Sequence, residues 1–209
     1  MKLTERERSD FNTALNEATI VDVAVDQAAR RISVTLAVLA LPHDRDLPPS
    51  DPRLRIVLAP VGRVAAALLH GDPSGHSART ERFELDQLPE IVRGFRQAPI
   101  YGWDFLDIPA EDPRAALPSD LSLDWRSGPG GLAHRLDLFQ ERSSPQEPDL
   151  DFWIWFDELA IFGPDGEPIA LSEFVAGGVR WWTGFYDGDD RTRGPMPATF
   201  EPLPDDPTQ

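Results

Sequence analysis

The stretch Val21-Asp22-Val23-Ala24-Val25-Asp26, answered after a short polar turn by Ile32-Ser33-Val34-Thr35-Leu36-Ala37-Val38, decides the fold class. In the first run Val21, Val23 and Val25 alternate with Asp22, Ala24 and Asp26. In the second, Ile32, Val34, Leu36 and Val38 alternate with Ser33, Thr35 and Ala37. A period of two sends one set of side chains to each face of a strand. Two such runs across a turn predict an antiparallel hairpin with one wet face.

Upstream, Thr4 and Glu7 have the T-x-x-E spacing of a capping box. Phe11, Ala14, Leu15 and Ala18 follow at helical spacing, so an N-terminal helix is expected to pack on the sheet. Downstream, prolines 42, 48, 49 and 52 mark a loop. Leu54, Ile56 and Leu58 predict a strand bent at Pro60-Val61-Gly62, and Val64 to Leu69 a short strand buried on both faces, with a helix as the alternative its alanines allow. Asp86 is the expected N-cap of a short helix over Gln87 to Phe95.

Leu121, Leu123 and Trp125 read as one arm of a hairpin that turns at Ser127-Gly128-Pro129-Gly130-Gly131. Leu132, Leu136 and Leu138 read as its return arm. Phe152 to Phe156, Leu159 to Phe162 and Ile169 to Leu171 are further strand segments. Ser172 is the expected cap of a second short helix ending at Gly177-Gly178.

These elements predict an α+β fold: a mostly antiparallel sheet of seven to nine strands with an N-terminal helix and two short helices. One domain is expected over 1–186, with an acidic, proline-rich flexible tail over 187–209. A constant offset relates Leu54, Ile56, Leu58, Val61 and Val64 to Phe152, Ile154, Phe156, Leu159 and Phe162. The offset suggests an internally duplicated unit, with pseudo-repeats over 19–105 and 121–186.

The chain has 209 residues, a formal charge of −16 and no cysteine. Disulfides, thiolate metal sites and thiol nucleophiles are therefore excluded. A strongly negative surface repels phosphate backbones and anionic bilayers and attracts basic proteins. No nucleic-acid or membrane partner is expected. The charged start, Met1 to Arg8, lacks the apolar core of a signal peptide, and the longest apolar run falls far short of the roughly 20 residues of a membrane span. The sequence predicts a cytoplasmic protein, with a residue bias matching a GC-rich bacterial genome.

Catalytic constellations are missing: no G-x-S-x-G, no S-x-x-K, no H-E-x-x-H and no glycine-rich phosphate cradle. His70 and His76 flank Asp72, and His43 neighbours Asp44 and Asp46, but both groups read as exposed loops. Asp104, Asp107, Glu111 and Asp112 crowd one loop and Asp187, Asp189 and Asp190 another, without the spacing of a calcium loop. No metal or other cofactor is expected.

Aromatics carry the strongest signal. With Phe152, Ile154 and Phe156 on one face of a strand, Trp153 and Trp155 share the other. They must be covered by a helix, by the Trp181/Trp182 segment or by a partner. The expected binding residues are Trp153, Trp155, Trp181 and Trp182, rimmed by Asp151, Asp157 and Glu158. The sequence points to a non-enzymatic binding protein docking a basic or mixed partner, as an immunity-like or inhibitor-like protein would. The alternatives are a carboxylate-based enzyme with a Trp-lined cleft and a self-associating structural subunit.

Overall fold

The computed structural model describes residues 1–43, 47–71, 79–102, 104–142, 144, 147–194 and 197–204. It shows the α+β architecture, built on one eight-stranded antiparallel sheet. The elements in order are α1 (Glu5–Leu15), β1 (Thr19–Asp26), β2 (Arg31–Ala37), β3 (Arg53–His70), β4 (Arg79–Thr80), α2 (Leu88–Arg93), β5 (Leu123–Arg126), β6 (His134–Gln140), β7 (Asp149–Phe162), β8 (Pro168–Ile169) and α3 (Leu171–Asp187). The main path through the sheet is β1-β2-β3-β7-β6.

The opening hairpin forms as its alternation requires, with Val23 opposite Val34 and Val25 opposite Ile32. The capping box at α1 also forms: Glu7 N–H donates to the Thr4 hydroxyl, and Thr4 N–H to the Glu7 carboxylate. Phe11, Ala14 and Leu15 are buried on the sheet. α3 lies beside α1 on this same face, where Phe11 meets Phe174 edge-to-face with ring centroids 5.5 Å apart. Leu88 and Val92 of α2 complete the core.

Four local expectations are corrected. The segments 54–58 and 64–69 are one continuous strand, β3, and 152–156 and 159–162 are one strand, β7. Each long strand finds a ladder in the other, from Arg55 opposite Phe162 to Leu69 opposite Asp149. A register shift between Val61 and Arg63 absorbs the bend. A 3-10 turn over Leu85–Gln87 precedes α2, where the Gln87 side chain accepts from Glu84 N–H, so Asp86 is not the cap.

The third correction concerns β5 and β6, which are not a hairpin. β5 pairs with β3 (Val64 opposite Trp125), and β6 pairs with β7 (Leu136 opposite Ile154). The chain crosses from one flank of the β3–β7 pair to the other beside Gly62. Ser127 N–H donates to Gly62 O and Gly62 N–H to Gly131 O, both at 3.0 Å. A Cβ on Gly62 would collide with the Gly130 and Gly131 carbonyls, so only glycine admits this crossing.

The fourth is α3, which runs 17 residues through Gly177-Gly178 instead of stopping there. It starts from Ala170 rather than from a Ser172 cap, and ends at Gly188 in the left-handed region (φ 78°). The glycine pair is a packing surface: a Cβ on Gly178 would strike Ala14 of α1. Beyond α3, Phe200 N–H donates to the Gln97 side chain at 2.6 Å, Arg53 reaches Glu201 O at 2.6 Å, and Leu203 is buried.

Candidate functional site

Residues 104–121 cover the part of the second face formed by β6, the second half of β3 and the first half of β7. Asn12 of α1 anchors this layer: its side-chain oxygen accepts from Phe105 N–H at 3.1 Å and Leu106 N–H at 2.9 Å, while its amide nitrogen donates to Asp104. The segment then runs along the edge of β6, with Asp137 N–H donating to Phe105 O at 2.7 Å and Asp107 N–H to Arg135 O at 2.9 Å. Further on, Leu117 and Leu121 close over Ala65, Ala67 and Trp153.

Strand parity places Trp153 and Trp155 together on this face, as expected, and β6 sets Asp137 directly opposite Trp153. Trp153 is covered within the chain by the 104–121 layer, and Trp155 is half-buried and flanked by arginines. Trp153 is 8% exposed. Trp155 lies between Arg63, 4.7 Å from its ring centre, and Arg135, 5.7 Å away on the neighbouring strand.

Between the layer and the sheet is a cavity of about 440 Å³, lined among others by Tyr101, Asp104, Arg114, Asp137, Asp151 and Trp153. Asp137 and Asp151 are diagonal neighbours on one face, since Phe139 stands opposite Asp151. Burial raises the Asp137 carboxyl to about 6, against the opposing pull of Arg135 and the Trp153 indole. Burial also raises Asp151 to about 6, and the charge of Asp149 adds to it.

Their surroundings differ. Arg135 grips Asp137 with two bonds, 2.6 and 2.8 Å. Asp151 has no hydrogen-bond or ion-pair partner among the described residues. A carboxylate pair working as acid and base needs both groups free to exchange protons with substrate. With Asp137 clamped by Arg135 and Asp104 by Arg114, Asp151 is the lining aspartate without a partner among the described residues.

A second cavity, about 550 Å³, adjoins Asp107, His134 and Trp155. His134 is buried, with Nδ1 2.6 Å from Asp107 Oδ2 and Nε2 2.9 Å from Met1 O. Both ring nitrogens face acceptors, so the imidazole ties β6 to two other segments and offers no free nitrogen to a substrate. Asp107 is held at a positive φ of 52°, and its second carboxylate oxygen accepts from Arg135 N–H at 2.8 Å.

The seven expected binding residues are therefore divided. Asp151, Trp153 and Trp155 share the second face. Asp157 holds the crossing segment, accepting from the N–H groups of Gly131, Leu132 and Ala133, and these bonds, Gly131 first, lower its pKa. Glu158 is exposed on β7 opposite Ala59. Trp181 and Trp182 sit on α3, packed on Leu39 and Leu41 and apart from the other pair.

On α3 the aromatic series continues into solvent. Phe185 stacks on Trp181 at 5.3 Å with planes 8° apart, and Tyr186 lies 6.0 Å from Trp182. Phe185 is 48% and Tyr186 77% exposed. Sequence reasoning missed this pair because it ended the helix at Gly178. It also passed over Asp137, whose position emerges only once β6 is paired with β7.

The loop acids serve arginines: Asp104 and Asp112 hold Arg114, and Asp189 holds Arg191. His70 Nε2 lies 2.8 Å from the Glu81 carboxylate. Asp44, Asp46, Asp72, His76 and Trp103 lie outside the described residues. Among the described residues no group of three or more His, Asp or Glu is placed to hold a metal ion, and no helix is long and apolar enough to cross a membrane. Comparison with protein-family models, curated proteins and solved structures gave no match.

Proposed function

We propose that this chain is a binding protein that docks a basic protein partner through the aromatic end of α3. The observation that carries the reading is the Phe185/Tyr186 pair, exposed and backed by Trp181 and Trp182. Large rigid aromatics on a helix lose little conformational freedom on contact and supply most of the energy of small interfaces. Trp181 and Trp182 set the rings in place; Phe185 and Tyr186 provide the contact area. The adjoining exposed Asp187, within a chain of net charge −16, favours a cationic partner and speeds its approach at low ionic strength.

The test is affinity capture from the native host at low and high salt. The intact chain is compared with a Phe185→Ala/Tyr186→Ser double variant, whose exposed positions tolerate substitution. A basic protein retained by the intact chain, released by salt and lost from the variant is the expected result. Capture unaffected by the double substitution rejects this surface. Recovery of only further copies of the chain favours a self-associating subunit instead.

A further inference from the structure

The cavity beneath the 104–121 layer is separate from the aromatic end of α3: Asp151 and Trp153 face the side of the sheet opposite α1 and α3. Three aspartates line it. Asp104 receives Arg114 at 2.8 Å and Asn12 at 3.3 Å; Asp137 receives the Arg135 fork. Arg142, the guanidinium nearest along the chain to the start of β7, is bound to Asp149 at 2.6 Å. Each of these arginines already has its carboxylate. Asp151 alone of the three lining aspartates has no donor among the described residues.

A partly buried carboxyl without a donor is relieved by a cation that brings N–H groups to it. The walls suit such a guest. Trp153 forms one side, and Tyr101, half exposed at the mouth, supplies an aromatic ring that a cation can approach from solvent. Ile108 and Pro118 add apolar surface for a hydrocarbon stem. The volume of about 440 Å³ is within the usual range for a small-molecule site.

We propose that this cavity binds an organic cation, an alkylguanidinium or alkylammonium group whose charge rests on Asp151 and whose stem lies along Trp153 and Tyr101. The same chemistry is offered by an arginine or lysine side chain of a protein and by a free amine. The guest favours the ionised form of Asp151, so affinity increases as pH rises through the titration of that carboxyl and levels above it. The charged groups facing Asp151 are Asp149 on its own strand, Asp137 and its partner Arg135 on β6, and Asp104 with Arg114 on the covering layer.

The test is calorimetric titration of the full chain at pH 8 with n-butylguanidinium, n-butylammonium and neutral n-butylurea. Either cation should saturate at millimolar concentration or below, and butylurea should not bind. Asp151→Asn should weaken the cations about tenfold or more. Tyr101→Ser, at the exposed mouth, should weaken them several-fold. Near-UV circular dichroism confirms that each variant is folded. A blocked Gly-Gly-Arg-Gly-Gly peptide separates the sources: tighter binding than butylguanidinium assigns the site to a protein side chain, and weaker binding assigns it to a free cation. The Phe185→Ala/Tyr186→Ser variant should bind the cations unchanged, which keeps this site's fate distinct from that of α3. No saturation by either cation below about 10 mM, or equal affinity in Asp151→Asn, overturns the proposal.

Discussion

Asp151 and Asp137 both hold protons more tightly in the folded chain than a free aspartate does, and in each case burial is the main cause. The unfolded chain releases these protons near pH 3.8 and the folded chain near 6. Between those values the native state binds more protons, so each group's contribution to stability falls as pH rises through the window. The loss is complete above pH 6 and absent below about 3.8. For Asp137 that rise in pKa is what remains after Arg135 has pulled the other way. Asp151 has no such donor among the described residues, so Asp151→Asn should stabilise the protein by about 1–2 kcal/mol at pH 8, after allowance for partial exposure. It should leave stability unchanged near pH 3.5. Urea denaturation at the two pH values checks this; equal effects at both would show that the carboxyl is not desolvated. The residue that weakens the fold is the one proposed to hold a ligand, which is where such a conflict is expected.

α3 owes its length to contacts that compete with local propensity. Alanine is favoured over glycine inside a helix by about 1 kcal/mol, so Gly178→Ala judged on propensity alone should stabilise. Its new methyl would instead meet the Cα and Cβ of Ala14 at 2.5 Å, where two helix backbones cross. The expected outcome is destabilisation by about 1–3 kcal/mol, measured by chemical denaturation, because overpacking outweighs propensity. This contest explains what could be read from the chain and what could not. The β1–β2 hairpin and the α1 cap were legible because alternation and a capping box are local signals. Strand parity put Asp151, Trp153 and Trp155 on one face for the same reason. The glycine pair was misread as a stop because its meaning lies in Ala14, more than 160 residues away. β5 and β6 were misread as a hairpin because the turn between them is shaped by Gly62 of a third strand. Asp137 gained significance only through its partners Arg135 and Trp153. Pairings between distant segments are invisible to a window that sees neighbours.

At the scale of the molecule, a charge of −16 on 209 residues sets a repulsive field. Ion pairs tie many arginines to nearby aspartates, as at Arg53–Asp51, Arg114–Asp112 and Arg191–Asp189, so the excess acid is left to repel itself. Moving from about 10 mM to about 200 mM NaCl shortens the screening length from roughly 30 Å to below 10 Å. The melting temperature should rise by about 2–4 °C over that range; a fall on adding salt would mean that attraction between charges dominates. The β3–β7 ladder has a further result, in time rather than energy. Its two sides are separated by some eighty residues of chain, so a ribosome exposes the long apolar edge of β3 well before β7 emerges to cover it. Assembly must wait for that late arrival. Folding is accordingly expected in the slow, millisecond-to-second regime of nonlocal sheets, and a nascent chain stalled before residue 149 is the form most exposed to wrong pairing with its neighbours.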